Sequence, residues 1–475
     1  MSLQSQIAQA QENAKRQASL SIENLRSLLR VQSPTGEELA GQEMTVKLLQ
    51  SAGAIAVYLD LELEDLFERF PTSAQYPTHW QHDLILPYED LPTMEALRAS
   101  GLENVLNYRQ RPNVVGRWPG TGGGRSLILN GHVDTVTVEP VSEWSHDPYG
   151  AELVGDQLFG RGASDMKGGV VAAIMAMHFL HEAGVELRGD VIFQSVVNEE
   201  HAGNGTLDLV RRGITADAAI VLEPTNSRIM TGHPGGLYWQ ITVPGVQRSP
   251  GARWRNGSKE GVSAIENLVP VINELLALEE SYNSREDLAE PENGRAAFAL
   301  VMGKIVGGHY DAATAGSTII RGSVYFTPAV GDVTDVMEAF RGLVAKVSAR
   351  DPFLAANPIK VEFLHHDDST LQDTGISIAT ELNRVLASRG QEVEVKAGPF
   401  ACDMRHLVNR GKIPSVIYGP GDIAQAHKPD EYISITEFLE SIQTLIAFLP
   451  AWCNGTPAEL DEPSPERASL VDGTL

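Results

Sequence analysis

The chain has 475 residues, 42% of them hydrophobic, which suffices for two to three domains with buried cores. Its formal charge of −25 excludes the broad basic face that nucleic acid or an anionic membrane surface requires. Only Cys402 and Cys453 are present, too few for a disulfide framework and too far apart for a thiolate metal site, and no run of eighteen apolar residues offers a membrane span.

Met1 to Lys15 is polar and rich in Gln and Ala, without the apolar core of a secretion signal, so a cytoplasmic protein is expected. Ser19 to Gly53 reads as two helices around Gln32-Ser33-Pro34-Thr35-Gly36-Glu37, where Ser33-Pro34 breaks the first. Tyr58 to Arg111 is longer than a strand connection needs and carries Tyr76, His79, Trp80, His82 and Tyr88. It reads as an insertion, either a structural flap or a wall of a substrate pocket.

From Asn113 to Glu223 strand and helix alternate, the grammar of an α/β domain with a mostly parallel sheet. The strand Leu127-Ile128-Leu129-Asn130 runs into Gly131-His132-Val133-Asp134. On an extended backbone His132 and Asp134 share a face, which suits an imidazole that binds a metal and a carboxylate that fixes its tautomer. Gly160-Arg161-Gly162-Ala163-Ser164-Asp165-Met166-Lys167-Gly168-Gly169 is a glycine-dense turn feeding the apolar helix Val170 to Leu180. Its Asp165 is either a metal-bridging carboxylate or a helix cap. The strand Val191 to Val197 ends in Asn198-Glu199-Glu200, adjacent acids that can divide the tasks of metal ligand and general base. Further strands end at Glu223 and, after Pro414 to Tyr418, at a loop holding His427. Ligands in open α/β sheets collect at such carboxyl ends.

After Gly235-Gly236 the grammar changes to strand Leu237–Val243, helix Gly261–Glu280, strands 297–306 and 318–326, helix 335–349 and strand 359–364. This β-α-β-β-α-β order is a ferredoxin-like unit. The expected boundaries are a catalytic domain over 1–233, a lid over 234–366, a return to the catalytic domain over 367–453, with helices at 373–388 and 435–449, and a loose acidic tail over 454–475.

Gly131-His132-Val133-Asp134, Gly160-Arg161-Gly162 with Asp165-Met166-Lys167-Gly168-Gly169, Asn198-Glu199-Glu200, and His427 followed by Pro429-Asp430-Glu431 occur in one order. In this the chain resembles, from about Ser33 to Phe448, the zinc peptidase and deacylase family of acetylornithine deacetylase, succinyl-diaminopimelate desuccinylase, aminoacylase and carboxypeptidase G. The resemblance implies a two-metal aminopeptidase-like catalytic domain with an inserted lid that supports a homodimer. It also implies one metal on His132, Asp165 and Glu223, a second on Asp165, Glu200 and His427, Glu199 as general base, Asp134 behind His132, and a cis peptide at Asp165-Met166. Arg405 stands where desuccinylase-like members carry an arginine for the substrate carboxylate; an ion pair with Asp403 is its structural alternative. Many members place a histidine four residues after the first lid strand's glycine, where it polarises the scissile carbonyl across the dimer. Here Ser249 stands four residues after Gly245, and Arg248, Arg253, Arg255, His233 and His309 are the candidate donors in its stead.

The expected protein is therefore a metal-dependent amidohydrolase acting on an N-acyl amino acid or dipeptide-like small molecule. Its ions are most simply two Zn²⁺, with Co²⁺ or Mn²⁺ as substitutes. A carbamoyl or ring-amide hydrolase on the same fold is the alternative, and a binding protein without turnover is the third reading.

Overall fold

The computed structural model describes residues 1–75, 107–255, 257–288 and 296–457. In its larger sheet the central strands open on apolar runs, Leu127-Ile128-Leu129 and Val191-Ile192-Phe193. Leu127–His132 and Val191–Val196 are buried along their whole length, as strands covered on both faces must be. Alternation sends successive side chains to opposite sides. Leu127, Leu129, Val191, Phe193, Ala218 and Ile220 enter one core, and Ile128, Ile192, Ala219 and Val221 enter the other.

The strand order is Ile55–Leu59, Asn113–Trp118, Val191–Val196, Leu127–His132, Ala218–Val221, Ser415–Ile417, Ile229–Met230, Val395–Lys396. Leu127–His132 runs parallel to both neighbours, and Ala218–Val221 runs parallel to Ser415–Ile417. The sheet is mixed, however, because Ile55–Leu59 and Asn113–Trp118 pair antiparallel at one edge. Only the parallel centre needs crossover helices. The first of these, Gly168–Glu182, is buried almost all round. A Cβ on Gly169 would lie 2.0 Å from the Leu222 carbonyl oxygen, so glycine lets this helix start against the strand end that carries Glu223.

The polar N-terminal stretch folds into a helix, Leu3–Arg16, that the sequence reading left without an element. Ser2 caps it by accepting from the Ser5 N–H. Its small face, Ala10, Asn13 and Ala14, is buried against Gly168–Glu182 and Ile435–Cys453. A buried stripe made of alanine carries little apolar signal, which is why hydrophobic periodicity passes over it.

The second sheet has the order Phe298–Gly307, Ser317–Phe326, Gly235–Pro244, Lys360–Asp367, all antiparallel. Its helices, Ala264–Asn283 and Val333–Ala349, cover one face, where Leu237, Trp239, Ile241 and Val243 pack with Phe340 and Phe363 in a core of their own. Tyr238 points to the opposite face and is 42% exposed. The aromatic residues expected in the long insertion, Tyr76 to Tyr88, lie outside the described residues, as does the tail from residue 458 onward.

Beside that insertion Arg111 forms a buried, two-pronged pair with Glu38, Nε to Oε2 at 2.8 Å and Nη2 to Oε1 at 2.6 Å, and stacks over the Tyr108 ring. Removing one member leaves the other charge buried and unpaired, so Arg111→Ala should cost about 3–5 kcal/mol of unfolding free energy. Urea denaturation would measure it, and a change under about 1 kcal/mol would show that the pair is dispensable.

Candidate functional site

The carboxyl ends of the central strands converge on one acidic cluster. His132 closes its strand with the ring fully buried. Its Nδ1 lies 2.8 Å from the Asp134 backbone carbonyl oxygen, which can only accept, so Nδ1 carries a proton and Nε2 is the nitrogen left to meet a metal. Nε2 faces carboxylates: Asp165 Oδ1 at 3.1 Å, Glu223 Oε1 at 3.7 Å and Glu199 Oε2 at 3.8 Å. The second oxygen of Asp165 lies 3.3 Å from His427 Nε2, which is itself 2.9 Å from Glu200 Oε2. Asp165 thus stands between the two imidazoles. The donor atoms of His132, Glu199 and Glu223 fall within 4.8 Å of one another, and so do those of His132, Asp165 and Glu200. The peptide Asp165-Met166 is cis.

The charge on this cluster is one-sided. Burial and nearby acids push the Glu223 and Glu199 carboxyls well above their ordinary range. The charge of Glu200 lifts His427 to about 11. Four carboxylates gathered around two imidazoles call for a cation between them. Imidazole and carboxylate together form a donor set that divalent first-row metals accept. The residues present fit metal ions.

Asp134 does more than back His132. Its Oδ1 is 3.7 Å from His132 Nδ1, beyond hydrogen-bond reach, whereas Oδ1 accepts from the Glu199 N–H at 3.1 Å and Oδ2 accepts from the Glu200 N–H at 3.3 Å and from the Thr35 hydroxyl at 2.9 Å. It therefore holds the turn bearing the adjacent acids, and it supports His132 through its backbone rather than its side chain.

Glu431 ties the Asp165 loop to the His427 loop. Fully buried, it accepts from Arg161 Nη1 at 2.7 Å, Gly162 N at 3.1 Å, Ser164 N at 2.9 Å and Asp165 N at 3.1 Å. The sequence reading quoted Glu431 only as part of a motif. The signal for its role was a carboxylate four residues after His427, but its partners lie more than 260 residues upstream. Asp403 is also buried near Glu199 and Glu223, with Oδ2 accepting from Thr206 at 2.6 Å.

The substrate-side candidates are placed as follows. Arg405 is buried and pairs with Asp367 of the lid strand at 2.9 Å, not with Asp403 through a direct ion pair. Gly203, at φ +68°, packs against that arginine, and an added Cβ would lie 2.7 Å from its Nη2. Arg248 is exposed and donates to the Gln247 carbonyl; Arg253 pairs with Glu266 at the start of the lid helix. Arg255 and Ser249 are exposed on the same stretch, which forms a small hairpin, Trp254–Arg255 with Ser258–Lys259. His309 is exposed, and His233 is fully buried at the crossing into the lid.

Known proteins share this fold. Residues 128–451 match the model for peptidase family M20/M25/M40. The N-formyl-4-amino-5-aminomethyl-2-methylpyrimidine deformylase of Bacillus subtilis is 33% identical over 366 residues, covering 73% of this chain and 84% of the relative. The succinyl-diaminopimelate desuccinylase of Methylocella silvestris is 39% identical over 155 residues, covering 30% of this chain and 40% of that one. Human carnosine dipeptidase 1 superposes with a TM-score of 0.65 at 15% identity, over 94% of this chain and 99% of its own. A family match over most of the chain, on the strands that carry the acidic cluster, shows that the chain belongs to peptidase family M20/M25/M40 and is an amide-bond hydrolase of that family.

Proposed function

We propose that the chain is a two-metal deacylase that removes a small acyl group, formyl being the simplest case, from the nitrogen of a small-molecule amine. The observation that carries this reading is Asp165 set between the two imidazoles, Oδ1 3.1 Å from His132 Nε2 and Oδ2 3.3 Å from His427 Nε2. One ion would be held by His132, Asp165 and Glu223 and the other by Asp165, Glu200 and His427. Zinc suits the mixed donors best. Bound there, divalent ions supply Lewis acidity toward the carbonyl and make water easier to deprotonate.

The remaining work falls to side chains. Glu199 follows the buried strand end and is held by the Asp134 bond to its N–H, so its carboxylate is aimed without being spent on a structural partner. It takes the proton of the attacking water and delivers it to the amide nitrogen as the C–N bond breaks. Asp134 positions Glu199 and Glu200 together. The deformylase and desuccinylase relatives, both named for removing an acyl group, favour acyl transfer to water over a carbamoyl reaction. A panel of N-formyl, N-acetyl and N-carbamoyl compounds, assayed for released amine with metal-loaded protein, tests this. Release from the carbamoyl members alone would replace the deacylase reading.

Glu431 is assigned as a positioning residue for both ligand loops. Glu431→Gln would set an amide N–H₂ against donors and should weaken metal binding about 10–100-fold while the fold persists. Competition with a chelating dye, with far-ultraviolet circular dichroism alongside, would detect this; unchanged affinity would remove the assignment.

A homodimer through the lid is also proposed. Phe298–Gly307 is an edge strand exposing Val301, Ile305 and Val306, and the adjoining helix exposes Ile265, Val269 and Leu276. An unpaired edge beside an apolar helix face is the surface on which a second copy adds strands. Sedimentation should give the dimer mass, and Val301→Lys with Ile305→Lys should give the monomer. A wild-type monomer would contradict it.

A further inference from the structure

The Arg405 guanidinium already has a carboxylate partner in the lid. Arg405 Nη2 sits 2.9 Å from Asp367 Oδ1, with the two side chains 3% and 16% exposed. The other Asp367 oxygen faces His365 Nε2 at 3.2 Å. Gly203 is packed close to the guanidinium, where an added Cβ would lie 2.7 Å from Nη2. Drawing Arg405 away to a substrate carboxylate would leave Asp367 buried without its counter-charge.

The surroundings of this pair are aromatic. Tyr238 and Tyr325 are 42% and 43% exposed on the open face of the lid sheet. His365 and Asp367 lie on the same lid strand, which ties the Arg405 partner to this face. His365 meets the Tyr238 ring edge-on at 5.5 Å. Tyr325 also walls a cavity of about 230 Å³ between the two sheets, lined by His233, Pro234, Ala299, Phe326 and Pro399 among others. Its mostly apolar walls and small volume suit a single ring rather than a peptide.

We propose that Asp367 sets the substrate class: by holding Arg405 it removes the grip for a carboxylate, and the enzyme cleaves N-acyl amines whose amine half is an uncharged aryl or heteroaryl ring without a carboxylate. The ring is taken by Tyr238, Tyr325 and the cavity beside them. This assignment rests on the deacylase reading above. It differs from the expectation, drawn from resemblance, that Arg405 binds the substrate carboxylate.

A matched pair of substrates tests it on the metal-loaded full chain: N-formylbenzylamine and N-formylphenylglycine, which differ only by the carboxylate. Wild-type protein should favour the benzylamine by about tenfold or more in kcat/KM. Asp367→Asn leaves Arg405 free and should shift the ratio toward the phenylglycine by about tenfold, chiefly through KM. The double variant Asp367→Asn, Arg405→Gln lacks both charges and should return to the wild-type preference, which separates specificity from damage to the fold. A wild-type preference for the phenylglycine that Arg405→Gln abolishes would overturn the proposal and leave deacylation standing. Turnover of neither compound, nor of any acyl amine in the wider panel, would remove the deacylase reading and this assignment with it.

Discussion

Glu199→Gln should keep its bound metal and lose turnover by about 10²–10⁴-fold. The amide matches the carboxylate in shape and still fits the site, but it cannot accept the proton of water. Its backbone N–H continues to bond Asp134, so the turn is undisturbed. Glu200→Gln is the companion variant: Glu200 Oε2 lies 2.9 Å from His427 Nε2, and its loss should reduce metal content as well as rate. Steady-state kinetics beside elemental analysis separates the two. Near-normal turnover in Glu199→Gln, or equal metal loss in both variants, would reverse the assignment of ligand and base.

Chelation should abolish turnover and lower the unfolding temperature together. Without a cation, Asp165 and Glu223 remain buried and Glu199 and Glu200 half-buried around two imidazoles, and burial holds the Glu199 and Glu223 carboxyls toward their protonated forms. An ion that binds only the folded chain adds stability by mass action, about 4 kcal/mol when its free concentration is 1,000 times its dissociation constant. Thermal unfolding with and without chelator, followed by addition of zinc, measures the effect. Full activity and an unchanged transition in excess chelator would show that the cluster serves some other purpose.

What could be read from the residues alone follows from where the information is local. The strands before His132, Glu199, Glu223 and His427 are short apolar runs ended by glycine, proline or acids, and the structure places strands at Leu127–His132, Val191–Val196, Ala218–Val221 and Ser415–Ile417. The lid order was equally plain, because helical and alternating periodicities succeed one another cleanly between residues 235 and 367. Partnerships over long separations were not legible. Nothing in the sequence links Arg405 to Asp367 rather than Asp403, or Glu431 to the N–H groups around Asp165. Asp134 shows the limit most clearly. The two-residue spacing brings it beside His132, but its carboxylate spends its bonds on Glu199, Glu200 and Thr35, from two other loops. The alanine-faced first helix and the antiparallel edge of the sheet escaped for a related reason, since both are fixed by packing rather than by local pattern.

The central claim is that this acidic cluster is a metal centre that cleaves an amide. Titrating zinc into metal-free protein while recording amine release from an N-formyl substrate tests it most directly. Activity should be absent at the start, rise with added metal and level off at about two ions per chain, the number a shared-carboxylate site accommodates. Full release of amine before any metal is added would contradict the account.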